Sequence, residues 1–339
     1  MLVLGIETSC DETAAAIVKD GKEILSNVVS SQIDLHQAFG GVVPELACRR
    51  HADIMIPVID EALKKADLAL QDVDLIAATK GPGLIGALLI GLNAAKALSF
   101  TLGKPFIGVN HIEAHLYAAM MSEKEPISFP TIGCILSGGH TALVLIKDLG
   151  KYELIGQTVD DAIGEAFDKA ARILGLPYPG GPEIERLALK GDPKKHSFKA
   201  GVVKTNPYHF SFSGLKTALL YAVKGQNSLK STEINISLEI AQDAAASFQL
   251  AAFSGVVKKT LKAKKAFNCE TIIFGGGVTN NQYLRKLFEK EDKSCRYIWP
   301  SKDLSLDNAA MIAGLGYHKY LTKMESDPLD LEALPSIPF

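Results

Sequence analysis

The sequence predicts an α/β protein of two similar halves, each a three-stranded meander followed by helices, around a nucleotide cleft. Three observations predict it: the strand pattern at the start, its recurrence 128 residues later, and the helical periodicity that follows each copy. The opening stretch "LVLGIETSCDETAAAIVKDGKEILSNVVS" reads as a strand, a polar bend, a second strand, an Asp20-Gly21 turn and a third strand. "TIGCILSGGHTALVLIKDLGKYELIGQT" (131–158) repeats that plan. A slide of 128 pairs Gly5 with Gly133, Ser9 with Ser137, Thr13 with Thr141, Ala14 with Ala142, Lys19 with Lys147 and Asp20 with Asp148. Such ungapped agreement indicates an internal duplication. It would set the two polar bends opposite each other, gripping a nucleotide's phosphates from both sides.

The remaining elements follow in order. After the first meander, "VVPELACRRHADIMIPVIDEALKKA" (42–66) has helical periodicity and leads to the strand "VDLIAATKG", a "GPG" turn and a helix over 84–102. That last stretch is apolar but broken by glycines, Asn93 and Lys96, so it reads as a buried helix rather than a membrane span. After the second meander come a helix over 161–174, the bend "GLPYPGGPE", an α-rich insertion at about 176–235, and "CETIIFGGGVTNNQYLRKLF" (269–288) as strand, glycine loop and helix. The expected domains are 1–128 and 129–306, with a helix at about 307–325 packing back on the first and a tail at 326–339.

A chain of 339 residues, 47% hydrophobic and 22% charged, has the composition of a soluble globular protein with two cores. Its five cysteines (10, 48, 134, 269, 295) are scattered and never in C-x-x-C spacing, which argues for a reducing compartment and against a disulfide framework. No secretory signal is read at the start, and a cytoplasmic protein is expected. A net charge of −2 gives no global sign of nucleic-acid binding. The best local patch is "KKTLKAKK" (258–265), although a run of this kind is more commonly a solvated helix face.

Four stretches carry chemistry. "NHIEAHL" sets His111 and His115 four apart, on one helix face, where two imidazoles hold a metal or merely line a core. A metallopeptidase would place its glutamate directly after the first histidine; Ile112 stands there, and Glu113 lies about 200° round the helix. "LSGGHT" (136–141) is a hairpin turn or, as the duplicate of "TSCDET", a phosphate loop. "FGGGVTNN" (274–281) opens a helix that receives a nucleoside or phosphate, with Asn280 and Asn281 as ligands or caps. "LSLDNAAMIAGLGYHKY" (304–320) starts a helix with Asp307 at its N-cap, and the same carboxylate is a candidate third ligand for a two-histidine metal site.

Taken in order, "GIETSCDET", "GGVVPELACRRH", "GPGLIGALLIG", "NHIEAHL", "LSGGHT", "GEAFDKAA", "YPGGP", "FSFSGLKT", "FGGGVTNN" and "LDNAAMIA" resemble the universal tRNA threonylcarbamoyladenosine-synthesis family, in its bacterial branch TsaD, formerly the glycoprotease family. The resemblance implies the actin/Hsp70/sugar-kinase (ASKHA) fold, two duplicated RNase H-like lobes around a nucleotide cleft. It implies transfer of a threonylcarbamoyl group from threonylcarbamoyl-AMP to N6 of the adenosine 3′ of a tRNA anticodon. Carried over by position, His111, His115 and Asp307 match the family's metal ligands, for one divalent ion per subunit, iron(II) before zinc(II). Ile135, Leu136, Ser137, Gly138 and Gly139 match its substrate-phosphate loop. Asp168, Gly181 and Asn281 match its nucleoside positions, and Asp11 and Glu12 fall in the loop near the reactive centre. Implied partners are tRNA, a shorter paralogue (TsaB) that forms a heterodimer, and a small P-loop ATPase (TsaE). The competing readings are a metallopeptidase and a small-metabolite kinase; the kinase's Asp-x-Gly first loop is replaced here by Glu7-Thr8-Ser9.

Overall fold

The computed structural model describes residues 1–225 and 236–337, so residues 226–235 of the expected insertion and the last two of the expected tail lie outside the described residues. The chain divides into two compact units, Met1–Lys124 with Pro300–Phe339, and Glu125–Trp299.

In the first unit the meander is β1 (Leu2–Glu7), β2 (Glu12–Lys19) and β3 (Glu23–Ser31). It is followed by the short α1 (Ile33–Gln37), α2 (Pro44–Lys65), β4 (Leu75–Gly81), α3 (Ile85–Leu102), β5 (Phe106–Asn110) and α4 (His111–Met121). The second unit repeats the meander as β6 (Thr131–Leu136), β7 (Thr141–Asp148) and β8 (Lys151–Gln157). Four helices follow, α5 (Ile163–Ile173), α6 (Gly180–Ala188), α7 (Ser213–Lys224) and α8 (Leu238–Ala266), then β9 (Thr271–Gly275), α9 (Gln282–Glu291) and β10 (Arg296–Ile298). The chain then returns to the first unit with α10 (Lys302–Ser305) and α11 (Ala309–Lys323).

The two sheets have one topology. The first runs β3-β2-β1-β4-β5 and the second β8-β7-β6-β9-β10, each with an antiparallel meander and two parallel strands added beside its first strand. The register repeats as well: Leu4↔Ile17 and Gly5↔Ala16 in β1–β2 become Ile132↔Leu145 and Gly133↔Val144 in β6–β7, the same 128-residue slide.

Packing explains the local choices. Helix α2 starts at Pro44, where a missing N–H costs nothing, and buries Ala47, His51, Met55, Val58, Ile59, Ala62 and Leu63 on one face. Gly5 has no alternative: a Cβ there would strike the Ala309 carbonyl, so its absence lets α11 lie directly on β1. In the second unit Phe167 stacks with Phe253 at 5.1 Å and meets Phe248 edge-on at 5.2 Å, and each such buried ring contributes roughly 2–3 kcal/mol.

One expectation changes. Helix α3 is half-buried rather than buried: Ala87, Leu88, Gly91, Leu92 and Ala95 face the first unit's core, while Ile85, Leu89 and Phe100 are exposed. It is the one helix among the described residues long and apolar enough to cross a membrane by composition. Residues after α11 are pinned to the sheet's edge. Asp327 N donates to the Phe106 carbonyl (2.7 Å), Gly108 N donates to Asp327 Oδ2 (2.9 Å), and Leu334 N donates to the Lys80 carbonyl (2.8 Å).

Candidate functional site

The first unit gathers its chemistry at the C-terminal ends of β1 and β5. Asn110 ends β5 and caps α4, its side-chain oxygen accepting from Ile112 N (2.9 Å) and Glu113 N (3.2 Å). That cap fixes the first turn of α4 and so aims His111 and His115 together. Their rings meet edge-on at 4.6 Å. Asp307 Oδ1 lies 3.5 Å from His111 Nε2 and 3.0 Å from His115 Nε2, and the three donor atoms fall within 4.8 Å of one another.

This set fits a metal ion. Although His115 Nε2 is close to Asp307, the pair lacks hydrogen-bond geometry, and neither buried nitrogen of His115 has a hydrogen-bond partner. Buried polar atoms left so are costly, and two imidazoles with a carboxylate converging on one point form a donor set for a divalent ion with open positions. Asp307 is not the helix cap, contrary to the sequence expectation. Asn308 takes that place, its side chain accepting from Met311 N (3.1 Å).

Glu7, which the sequence reading left without a role, orients the first histidine. Fully buried at the end of β1, it accepts from Ser9 N, from Thr79 Oγ1 (2.6 Å) and from His111 Nδ1 (2.9 Å). A proton on Nδ1 leaves the Nε2 lone pair facing Asp307 and His115, the carboxylate–histidine arrangement that steadies metal ligands. Burial works to raise the Glu7 carboxyl, but the charge and hydrogen bond of His111 outweigh it and hold the group below its ordinary value. Burial opposes protonation of His111 too, yet Glu7 and Asp307 together lift the imidazole to about 9, so an ion binding at Nε2 would displace a proton there. Burial, reinforced by Asp307 and Asp11, pushes Glu12 well above the carboxylate range. Carboxylates crowd this site, and a bound cation would relieve them.

The bend itself is tied down by His51 of α2, whose Nδ1 lies 2.7 Å from Thr13 Oγ1 and whose Nε2 lies 2.9 Å from the Cys10 carbonyl. The carbonyl requires a proton on Nε2, so Nδ1 accepts from Thr13. Burial, with Asp11, Asp307 and Glu12, pushes the Cys10 thiol far above its ordinary value, against a thiolate nucleophile. Glu113 Oε2 pairs with Lys319 Nζ at 2.7 Å, an engagement that keeps it from serving as a peptidase base.

In the second unit the glycine loops come together. Ser137 N donates to the His140 carbonyl (2.9 Å) and His140 N donates to Ser137 Oγ (3.0 Å), closing the bend, while Gly138 and Gly139 face open space. Gly164 N and Glu165 N of α5 donate to the Ser137 and Gly138 carbonyls, both at 3.2 Å. Gly276 adopts φ +94, and a Cβ there would sit 2.5 Å from the Leu136 carbonyl, so only glycine lets the "FGGG" loop reach the "LSGG" loop. Further along α5, Asp168 Oδ1 accepts from Gly180 N (2.7 Å), and Gly181 beside it faces open space. Asn281 caps α9 through Leu284 N (3.0 Å) and donates to Gln249 Oε1 (2.9 Å), so its amide is engaged on both sides. The side chains of Ile135 and Leu136 are buried in the sheet, leaving only their backbone for a ligand.

The solved structures this chain resembles share its fold. HypF from T. kodakarensis matches 95% of the chain with a TM-score of 0.62 at 16% identity, over 48% of its own length. The (R)-2-hydroxyglutaryl-CoA dehydratase component A of Acidaminococcus fermentans matches 95% with a TM-score of 0.54 at 14% identity, over 99% of its length. ROK hexokinase from Thermus thermophilus matches 96% with a TM-score of 0.50 at 16% identity, over 99% of its length. These establish an actin/Hsp70/sugar-kinase fold for the chain. Closer likenesses come from sequence. A tRNA N6-adenosine threonylcarbamoyltransferase of Protochlamydia amoebophila (strain UWE25) is 65% identical over all of this chain and 98% of its own. One from Thermosipho africanus (strain TCF52B) is 50% identical over 99% of both. Residues 23–314 match the family described as TsaD: tRNA N6-adenosine threonylcarbamoyltransferase, and the chain belongs to that family.

Proposed function

We propose that this protein transfers the threonylcarbamoyl group from threonylcarbamoyl-AMP to N6 of the adenosine at position 37, 3′ of the anticodon, in tRNAs reading codons that begin with adenine. The observation that carries the reading is the 65% identity, over the whole chain, to a relative named for that transfer. The carbamoyl adenylate is a mixed anhydride, already activated, so the protein has to position it, stabilise developing oxygen charge and admit the adenine amine.

His111, His115 and Asp307 would hold the ion, iron(II) by the family resemblance, with zinc(II) also suited to this donor set. Such an ion supplies Lewis-acid polarisation of substrate oxygens when bound. Glu7 keeps His111 in the ligating tautomer. The open space at Gly138 and Gly139, in the loop with Ser137 and the main chain of Ile135 and Leu136, receives the phosphate; Asp168, Gly181 and Asn281 receive the nucleoside. Of the two bend acids, Asp11 and Glu12, burial beside Asp307 and Asp11 pushes Glu12 well above the ordinary carboxylate range, and one of the pair takes the proton leaving the adenine amine. The protein works in the cytoplasm with the shorter paralogue TsaB and the P-loop ATPase TsaE. Ile56 on α2 and Phe100 on α3, both more than three-quarters exposed, support a partner on that side of the first unit.

Mass spectrometry of nucleosides from tRNA incubated with the reconstituted proteins and threonylcarbamoyl-AMP tests the reading. Wild-type protein is expected to form threonylcarbamoyladenosine, and His111→Ala to lose both bound metal and at least about 100-fold of the rate. Absence of the modified nucleoside, or full activity in His111→Ala, would overturn it.

A further inference from the structure

The second unit contains a basic groove that the transfer chemistry does not use. A cavity of about 730 Å³ lies between α8 and the segment before α7, and its lining includes Lys199, Lys204, Lys258, Lys259 and Lys262 but no carboxylate. The chain as a whole carries a net charge of −2, so five lysines without an acid form a local concentration of positive charge. None of the five is in an ion pair among the described residues, and all but the half-buried Lys259 are exposed.

The groove is built rather than incidental. The segment is fastened to α8 at its beginning, where Asp192 N donates to Asp243 Oδ1 (2.8 Å) and His196 N donates to Ser247 Oγ (3.1 Å). Beyond those ties α8 presents Ala251, Ser254 and Gly255, small residues that leave room, and a Cβ on Gly255 would lie 3.1 Å from Ala200 Cβ. Two of the lysines are braced: Lys259 Nζ donates to the His209 carbonyl and lies 5.2 Å from the Phe210 ring centre, and Lys262 Nζ lies 5.9 Å from that of Tyr208. Bracing reduces the side-chain entropy lost when a lysine meets a ligand. Lys258 and Lys262 stand one turn apart on α8, about 6 Å along its axis, a spacing that suits successive phosphates on one strand.

We infer that this groove binds the sugar-phosphate backbone of the tRNA substrate. The inference rests on the proposed function for the identity of the nucleic acid, and on the charge, shape and bracing of the groove for its location. Phosphate neutralisation by lysines dominates such affinity and makes it depend on salt. Groove lysines therefore contribute to affinity and salt dependence, and leave the binding of threonylcarbamoyl-AMP alone.

The test is the binding of fluorescein-labelled tRNA to the full-length protein with its partners, by anisotropy across a salt series. Lys258→Glu with Lys262→Glu is expected to weaken binding at least tenfold and to flatten the slope of log K against log salt by about 1 to 2. Arginine at both positions is expected to restore affinity to within threefold. The same charge change at the exposed Lys286 and Lys290, on α9, serves as the control. Affinity within twofold of wild type in the glutamate pair, or an equal loss in the control, would overturn the inference. So would a groove that binds labelled poly-glutamate in a lysine-dependent way while tRNA affinity stays intact, an outcome that makes it a docking site for an acidic protein. Binding is read without catalysis: a wild-type protein that binds tRNA through these lysines yet transfers nothing refutes the proposed function and leaves the groove standing.

Discussion

The same hairpin bend occurs twice, and the two copies carry opposite charge chemistry. At equivalent positions of the 128-residue slide, Glu7 corresponds to Ile135, Cys10 to Gly138, Asp11 to Gly139 and Glu12 to His140. The first bend places carboxylates beside the His111, His115 and Asp307 cluster, a setting for a cation. The second strips the side chains away and leaves peptide N–H groups, a setting for an anion. The anchoring threonine is retained in both. Thr13 Oγ1 meets His51 of α2, and Thr141 Oγ1 accepts from Ile163 N at the start of α5 (2.8 Å). Backbone topology thus fixes where a bend stands, and a few side chains decide the sign of what it binds.

Exchanging residues between the bends tests this division. The largest effect is expected from Glu7→Ile, which gives the first bend the residue of its duplicate. It leaves Ser9 N, Thr79 Oγ1 and His111 Nδ1 buried without their acceptor, costing about 3–5 kcal/mol in chemical denaturation. Metal affinity, read by competition with a chromogenic chelator, should fall about 10- to 100-fold; an unchanged affinity would show that Glu7 does not steady the ligand. Gly139→Asp makes the reverse exchange. Open space surrounds that position, so the denaturation midpoint should hold, while repulsion of the phosphate weakens threonylcarbamoyl-AMP binding by at least about tenfold in calorimetry.

A smaller effect concerns Asp160, between β8 and α5, whose carboxylate accepts from Ser211 Oγ (2.6 Å), Phe212 N (2.8 Å) and Ser213 Oγ (2.9 Å). Burial would raise this group, but those donors hold it below its ordinary value. A depressed folded value means the stabilisation is present above the unfolded value, about 4, and is lost as pH falls below it. Asp160→Asn should therefore cost about 1 kcal/mol at neutral pH and progressively less as acid protonates the folded carboxylate, judged by urea titrations across that range. The smallest effect is expected for Glu113→Gln, with transfer activity within about threefold of wild type because the carboxylate serves Lys319 rather than the reaction. A loss beyond 100-fold would return Glu113 to consideration as a base.

Much of the fold was legible because strand identity and turn placement are local, and the duplication doubled the signal. The metal cluster was half legible. Helical spacing brings His111 and His115 together from sequence alone, but Asp307 reaches them only through the return of the chain to the first unit. Its neighbour Asn308 was not recognised as the cap, since Asp and Asn cap equally well and only the backbone decides which stands at the boundary. Glu7 was hidden more deeply. Its partners Thr79 and His111 lie 72 and 104 residues away, so an acid at the end of an apolar strand was the visible signal and its partners were not. The exposed side of α3 was missed because an apolar helix reads as buried whatever covers it.

The strapping of residues 326–335 along β5 and the end of β4 has a consequence for biosynthesis. A sheet edge offers unpaired backbone groups to any passing strand, and here that edge is covered by residues made some 220 positions later. During translation the second unit can close on itself while the first, begun at residue 2, waits for α11 and the strap to emerge. Over that interval the nascent chain carries an uncovered strand edge, the kind of surface on which pairing with another chain begins.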